Sequence, residues 1–315
     1  MSAWSRQRFE YSGVLGLNAR NANYIMPSNP RSAYPLVDNK VLTKRLMEAR
    51  GIAVPSLYHL VEYHGDLKNI KEMLKDRRNF VVKPARGWGG GGILLVTDRI
   101  AESIFDQNGD LISWPEFSHH LANILSGVYS LSGLEDQALI EELVHPDPVF
   151  APVSYEGIPD IRIIVYQGIP AMAMLRLPTK ASNGKANLHR GAIGAGIEIG
   201  SGLTLNAVQG AKVITLHPDT GRSVSDIQVP YWEQMLLTAA SLSEIVGLGY
   251  LGVDFLIDRN RGPLLLELNA RPGLSIQIAN RCGLKKRLEL IDRASAAVFA
   301  SPETRANWAR SAFSC

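Results

Sequence analysis

"NFVVKPARGWGGGGILLVT" (residues 79–97) places five glycines in six positions between two apolar runs. Glycine loses more conformational freedom on folding than any other residue, so such a cluster needs a compensating use. "GWGGGG" matches the G-x-G-x-x-G pattern letter for letter, but that fingerprint needs a strand before it and a helix after it. Here "ILLVT" follows, and it reads as a strand. The phosphate-loop pattern also fails, because no Lys-Ser or Lys-Thr follows Gly92. What remains is a strand–glycine loop–strand flap, entered by a strand that carries Lys83, with a long flexible hairpin as the alternative. Its backbone N–H groups can approach phosphate oxygens without side chains intervening.

The flanking sequence predicts mixed helices and hairpins. Asp38 is a cap for a helix carrying Leu42, Leu46 and Ala49, with Gly51 as the stop and Pro55 beyond it. Asp66 caps a second helix through Leu67, Ile70 and Leu74, and Pro115 starts a third carrying Phe117, Leu121, Ile124 and Val128. "ALIEELV" is a strand. "DIRIIVY" and "PAMAMLRL" pair around a turn at Gly168, residues 230–247 form a long helix, and the C-terminal stretch is mostly helical. Strands and helices in this order predict an α+β fold of two lobes with mainly antiparallel sheets. The expected divisions are an irregular N-terminal arm over 1–37, a lobe with the glycine lid over 38–140, and a second lobe over 141–315.

"GVDFLIDRNRGPLLLELN" (252–269) is a second hairpin. Glu267 and Asn269, two apart, share a face. A turn centred on Asn260–Arg261 sets Asp254 across from Glu267, so three oxygen ligands converge. Mg²⁺ takes such a set together with water and phosphate oxygens. Two carboxylates buried side by side demand a cation. A solvated polar face is the alternative, weakened by Phe255, Leu266 and Leu268 facing the other way.

Composition excludes several classes. The chain has 315 residues, 46% hydrophobic and 20% charged, with a net charge of +3. Its basic residues are scattered, so nucleic acid is not an expected partner. No apolar run reaches the roughly 18 residues of a membrane span. The start, "MSAWSRQRFEYSG", lacks the apolar core of a secretory signal, so a cytoplasmic location is expected. Cys282 and Cys315 are too few for a zinc site and are read as incidental thiols. His119 and His120 are read as ordinary surface residues of a helix, and Trp88 as either packed on a closed lid or exposed.

Taken in order, "DIR" (160–162), Arg176, "NLHRG" (187–191), "GVD" and "ELNARPGL" resemble the ATP-grasp superfamily. The similarity is greatest to the branch of α-L-glutamate ligase-like proteins, with the ribosomal-protein glutamate ligase and the lysine-biosynthesis carrier-protein ligase. It runs from about Asp38 to about Asn280. The resemblance implies two lobes gripping ATP. It implies nucleotide contacts from Lys40 in "DNKVLTK", Lys83, the lid Gly89, Gly90, Gly91 and Gly92, the adenine hinge Glu142, Leu143 and Val144, and Asp160, Lys185 and Asn187. Asp254, Glu267 and Asn269 match magnesium ligands for one or two Mg²⁺ ions, with Mn²⁺ as an alternative. Arg162, Arg176, Arg190 and Arg271 match groups that meet the transferring phosphate or the acceptor carboxylate, with surface pairs as the alternative for Arg162 and Arg176, and His189 belongs to the same matched string.

The implied activity is an ATP-dependent carboxylate–amine ligase acting through an acyl phosphate, with glutamate or another amino acid as one substrate and an amino acid or peptide as acceptor. The rivals are a kinase on the same fold and a non-enzymatic ATP-binding partner. Two departures stand out. Relatives carry a domain of about a hundred residues ahead of the core, and residues 1–37 are too few for it, so a partner protein or a homo-oligomer completing the cleft stays open. Lys185 replaces an Arg, which loses a bidentate fork.

Overall fold

The glycine loop joins two paired strands, as its flanks predict. The structure, a computed structural model, describes residues 13–87, 89–100, 103–130 and 133–314. Trp88, Cys315 and residues 1–12 lie outside the described residues. The chain divides into two compact units, Asn39–Val144 and residues 1–38 with His145–Cys315.

The smaller unit contains α1 (Lys40–Ala49), β1 (Leu57–Val61), β2 (Phe80–Pro84), β3 (Leu94–Ile100), β4 (Ser103–Asp106), β5 (Leu111–Ile112), α2 (Trp114–Leu125) and β6 (Ala138–Glu141). Its sheet runs β1-β6-β2-β3-β4-β5 with antiparallel ladders. Alternation along the strands separates two faces. Phe80, Val82 and Ile140 pack with Phe117, Leu121 and Ile124 of α2 in one core. The opposite face carries Lys83, Leu139 and Glu141, and Leu139 packs with Val41 of α1.

Several local expectations are corrected here. The cap of α1 is Asn39, whose side chain accepts from the Val41 and Leu42 amides, and not Asp38. The buried positions of α1 are Val41, Thr43, Lys44 and Met47, while Leu42 is exposed. Residues His64–Asn69 form a 3-10 helix, followed by one short helix over Ile70–Met73. Asp66 accepts from the Glu62 and Tyr63 amides instead of starting a long helix. Val128 lies past the end of α2 and is exposed.

The larger unit contains β7 (Asp160–Tyr166), β8 (Ile169–Leu177), β9 (Ile193–Ile197), β10 (Thr204–Gln209), β11 (Lys212–Ile214), α3 (Trp232–Val246), β12 (Tyr250–Asp258), β13 (Gly262–Asn269), α4 (Leu284–Asp292) and α5 (Pro302–Ala312). Its sheet runs β11-β10-β9-β8-β7-β12-β13, again antiparallel throughout. Helices α3 and α5 pack on each other and on β8. Among the described residues no helix is long and apolar enough to cross a membrane.

From Gly13 onward, where the N-terminal arm is described, it is not irregular. Residues Leu17–Ser28 are continuously helical, with a π-helical stretch over Asn21–Ile25. Tertiary contacts hold this polar segment down. The Asn29 amide donates to the Tyr250 carbonyl at 2.7 Å and accepts from the Tyr250 amide at 2.8 Å. Arg20 Nη1 donates to the Pro272 carbonyl at 2.6 Å, and the Gln277 side chain bonds both backbone groups of Leu15.

Candidate functional site

In the smaller unit, the strand register dictates a buried charge cluster. Glu141 pairs with Val81, so Lys83, two residues along β2, is its diagonal neighbour. Lys83 Nζ lies 2.6 Å from Glu141 Oε2. Lys44 Nζ lies 2.8 Å from Glu141 Oε1 and also donates to the Pro55 carbonyl. All three residues are at least 95% buried. Burial pulls the Lys44 ammonium below its ordinary value, and Glu141 opposes that shift. Two lysines on one glutamate leave one positive charge in excess. An excess buried charge is costly, and it can be relieved by loss of the Lys44 proton, which burial favours, or by an incoming anion.

The glycine loop starts where this cluster ends. Lys40 Nζ donates to the Gly87 carbonyl at 2.8 Å. Gly87 is a glycine of necessity, because a Cβ there would sit 2.1 Å from Pro84 Cγ. Gly89, Gly90 and Gly92 have φ of 62°, 76° and 73°. Successive amide N–H groups in turns of this kind can form an anion-binding concavity. The strand expected over "ALIEELV" ends at Glu141; just past it the Glu142 amide donates to the Ser56 carbonyl at 2.9 Å, Leu143 is half-buried and Val144 is buried.

The larger unit carries a second cluster, built as a row across its sheet. Asp254 pairs with Glu267 on one side and Arg162 on the other, and Asp160 pairs with Arg176. Arg162 grips Asp254 through Nε at 2.7 Å and Nη2 at 2.5 Å. Arg176 Nη2 bonds Asp254 at 2.6 Å and Asp160 at 2.7 Å, with a second bond from its Nε to Asp160. Bidentate guanidinium–carboxylate pairs of this kind are strong and directional. Burial pushes Asp254 up, but Arg162 and Arg176 outweigh it and hold it at about 2. Burial pushes Asp160 up to about 7, helped by the Asp254 charge and opposed by Arg176.

Asp254 does lie across from Glu267, but the turn is centred on Asn260. Asp258 pairs with Gly262, and the register then shifts between Asp254 and Phe255. That bulge at Leu266 restores the pairing. Leu266 is only half-buried, whereas Phe255 and Leu268 are core residues.

The three predicted metal ligands are neighbours with different surroundings. Asp254 is fully buried with both oxygens on arginines, so guanidiniums meet the cation demand there. The Glu267 side chain is 33% exposed, with Arg162 Nη2 at 3.8 Å. Asn269 is half-buried, and its Oδ1 accepts from the Arg271 amide at 3.3 Å. Among the described residues no group of three or more His, Cys, Asp and Glu side chains is arranged to hold a metal ion. Glu267 with Asn269 nevertheless offers the one or two hard oxygen donors that Mg²⁺ needs when phosphates complete its shell.

The other predicted residues lie on connecting segments, not on the strands of these rows. Asn187 caps a turn over Leu188–Arg190, accepting from the His189 amide at 3.0 Å. His189 and Arg190 are exposed. Lys185 is half-buried, and burial followed by the Arg190 charge lowers its ammonium. Arg271 stacks on Tyr34, its guanidinium 5.1 Å from the ring centre. Cys282 is an exposed free thiol.

Sequence reasoning missed Lys44, Glu141, His120 and Asp136, whose carboxylate accepts from the Arg86 amide at the start of the glycine loop. The spacing of Lys40 and Lys44 was the available signal, since residues four apart share a helix face. His120 is corrected outright. It is partly buried, and its Nε2 lies 3.0 Å from the Gly92 carbonyl.

Residues 19–293 match the family model described as sugar-transfer associated ATP-grasp. A Syntrophotalea carbinolica protein named "Probable alpha-L-glutamate ligase" is 26% identical over 239 residues, covering 75% of this chain and 56% of that one. A Methanococcoides burtonii protein of the same name is 27% identical over 255 residues, covering 79% and 61%. The chain thus spans little more than half the length of these curated relatives. The solved D-alanine–D-alanine ligase of Bacillus anthracis with ATP aligns at 14% identity and a TM-score of 0.44, covering 85% of this chain and 67% of that one. The family model covers most of the chain, and the two antiparallel α+β units agree with it: the chain belongs to the sugar-transfer associated ATP-grasp family.

Proposed function

We propose that this chain is an ATP-dependent carboxylate–amine ligase. The observation that carries this reading is the opposite excess charge of the two clusters. Lys44, Lys83 and Glu141 carry one positive charge in excess. Asp160, Asp254 and Glu267 outnumber Arg162 and Arg176 by one when every carboxylate is ionised. A nucleotide polyphosphate with its divalent cation needs both kinds of group.

Lys83 and the glycine amides bind phosphate oxygens, Lys40 supports the loop and contacts the nucleotide, and Glu142, Leu143 and Val144 take the adenine. Glu267 and Asn269 would hold Mg²⁺, which neutralises charge on the β- and γ-phosphates when bound. A substrate carboxylate oxygen attacks the γ-phosphorus while the bond to the ADP oxygen breaks. Lys83 and the loop amides stabilise that transfer, with Arg271 as a further donor. An amine nitrogen then attacks the acyl carbon. Phosphate leaves, the nitrogen loses a proton, and an amide forms. Closure of the glycine loop excludes the water that would hydrolyse the acyl phosphate.

The names of the curated relatives support glutamate or another amino acid as one substrate. The description of the family adds sugar-linked acids and amines to the acceptors worth testing. The test is release of ADP and phosphate across a panel of amino acids, peptides and amino sugars, with the product weighed by mass spectrometry. An amide product with free phosphate supports the ligase. A phosphorylated hydroxyl replaces it with a kinase.

A further inference from the structure

The smaller unit fixes both ends of the glycine loop, and the downstream fixing has no assigned purpose. Upstream, the Arg86 amide donates to both oxygens of Asp136 at 2.9 and 3.1 Å, the Lys40 ammonium holds the Gly87 carbonyl, and Gly87 bridges to Ser130. Downstream, the β2–β3 ladder reaches only to Leu94. Just before it, the Gly92 carbonyl lies 3.0 Å from His120 Nε2. A carbonyl oxygen only accepts, so Nε2 carries the proton. The His120 ring lies against Tyr129, with centroids 5.7 Å apart. Tyr129 also fills the space over Gly92, where a Cβ would fall 2.6 Å from its Cδ2. His120 itself stands on α2, whose Phe117, Leu121 and Ile124 are fully buried in the core.

We infer that His120 is a positioning residue for the glycine loop, clasping Gly92 so that the amides of Gly89 to Gly92 are held ready for phosphate. This rests on the proposed role of the loop in ATP binding. The physical link is conformational entropy. A loop tied at both feet has fewer states to lose when it orders around a ligand. Burial lowers the His120 pKa and keeps the ring neutral near pH 7, with its one proton committed to the clasp.

The test uses the whole chain and two variants. His120→Gln keeps an N–H donor at similar reach, whereas His120→Phe keeps a ring and loses the donor. Hydrogen exchange of peptides spanning residues 86–93 is the direct readout. The Phe variant should exchange there several-fold faster than wild type, with residues 103–112 unchanged, and the Gln variant should match wild type. In turnover, the Phe variant should raise the KM for ATP or lower kcat several-fold, and Gln should restore it. Equal loop exchange in all three proteins overturns the clasp, whatever the turnover does. If the Phe variant does not fold, His120→Asn, too short to reach Gly92, takes its place with the same expected outcome. A wild type that turns over no ATP removes the function proposed above, while the exchange result still decides the clasp.

Discussion

The two charge clusters are built from the same materials and reach opposite balances. In each, a carboxylate on a central strand is shared by two cations, Glu141 by Lys44 and Lys83, and Asp254 by Arg162 and Arg176. The smaller unit stops there, with positive charge left over. The larger unit adds Asp160 and Glu267 and swings negative once Asp160 ionises, which burial delays to about pH 7. The donors differ in kind as well. Lysine is a compact point charge suited to a phosphate oxygen, while the arginine forks lock the carboxylates in plane. A buried ion pair is weak evidence for stability. On the function proposed above, the imbalance in each unit serves a ligand, an anion in one and a divalent cation in the other.

The largest expected effect falls on the anchor of the negative cluster. Asp254→Asn removes the charge under two buried guanidiniums and should destabilise the larger unit by about 3–5 kcal/mol. Denaturant unfolding measures this. A loss below about 1 kcal/mol would mean that the arginines are not held by Asp254 in solution. Glu267→Gln, one-third exposed, should leave stability nearly unchanged and instead raise the magnesium requirement, more than Asn269→Ala does.

Lys83→Met sharpens the contrast from the other side. Glu141 keeps Lys44 as its partner, so the fold should survive. ATP turnover should fall by about 10²–10³, the scale of a lost transition-state donor. Unchanged ADP production would end the phosphate-contact role.

Arg190→Lys is expected to be milder. The side chain is exposed on its turn, so melting should not move, but the acceptor KM should rise about tenfold as a forked donor becomes a single ammonium. A fall in kcat at constant KM would assign Arg190 to the transferring phosphate instead.

The last expected effect is a pH slope. The folded Asp160 pKa of about 7 lies above its unfolded value of roughly 3.9. Stability from this group is therefore present below pH 4 and lost as pH rises towards 7. Asp254, held at about 2, works in the opposite sense, and its contribution is lost only as pH falls below about 4. Asp160→Asn should flatten the decline between pH 4 and 7 in thermal melts.

The sequence made some of this architecture legible and hid the rest for physical reasons. Strand alternation and turn residues gave both hairpins, the β2–loop–β3 flap and the Asp254–Glu267 pairing, because period-2 patterns and tight turns are local. Their detail is not local: the pairing was expected from a turn at Asn260–Arg261 and arises from a turn at Asn260 with a bulge at Leu266. Helix α1 was legible, but its buried face was not, because Lys44 carries a charge that only Glu141 on a distant strand makes tolerable. The helical arm over Leu17–Ser28 was hidden, since its order comes from Asn29, Arg20 and Gln277 bonding to remote backbone. His120 looked ordinary because its partner is a carbonyl 28 residues away. The division into Asn39–Val144 and the remainder also depends on that N-terminal segment, which joins the larger unit.

The division of labour between the clusters is tested most directly by separating nucleotide from metal. ADP binding is followed by calorimetry in metal-free buffer, and Mn²⁺ binding to the ADP complexes by electron paramagnetic resonance, for wild type, Lys83→Met and Glu267→Gln. The account predicts that Lys83→Met weakens metal-free ADP binding by about tenfold or more, the cost of a charged hydrogen bond, while Glu267→Gln binds ADP like wild type and loses about tenfold or more in Mn²⁺ affinity. Glu267→Gln that weakens metal-free ADP binding as much as Lys83→Met, or that holds Mn²⁺ like wild type, would contradict it.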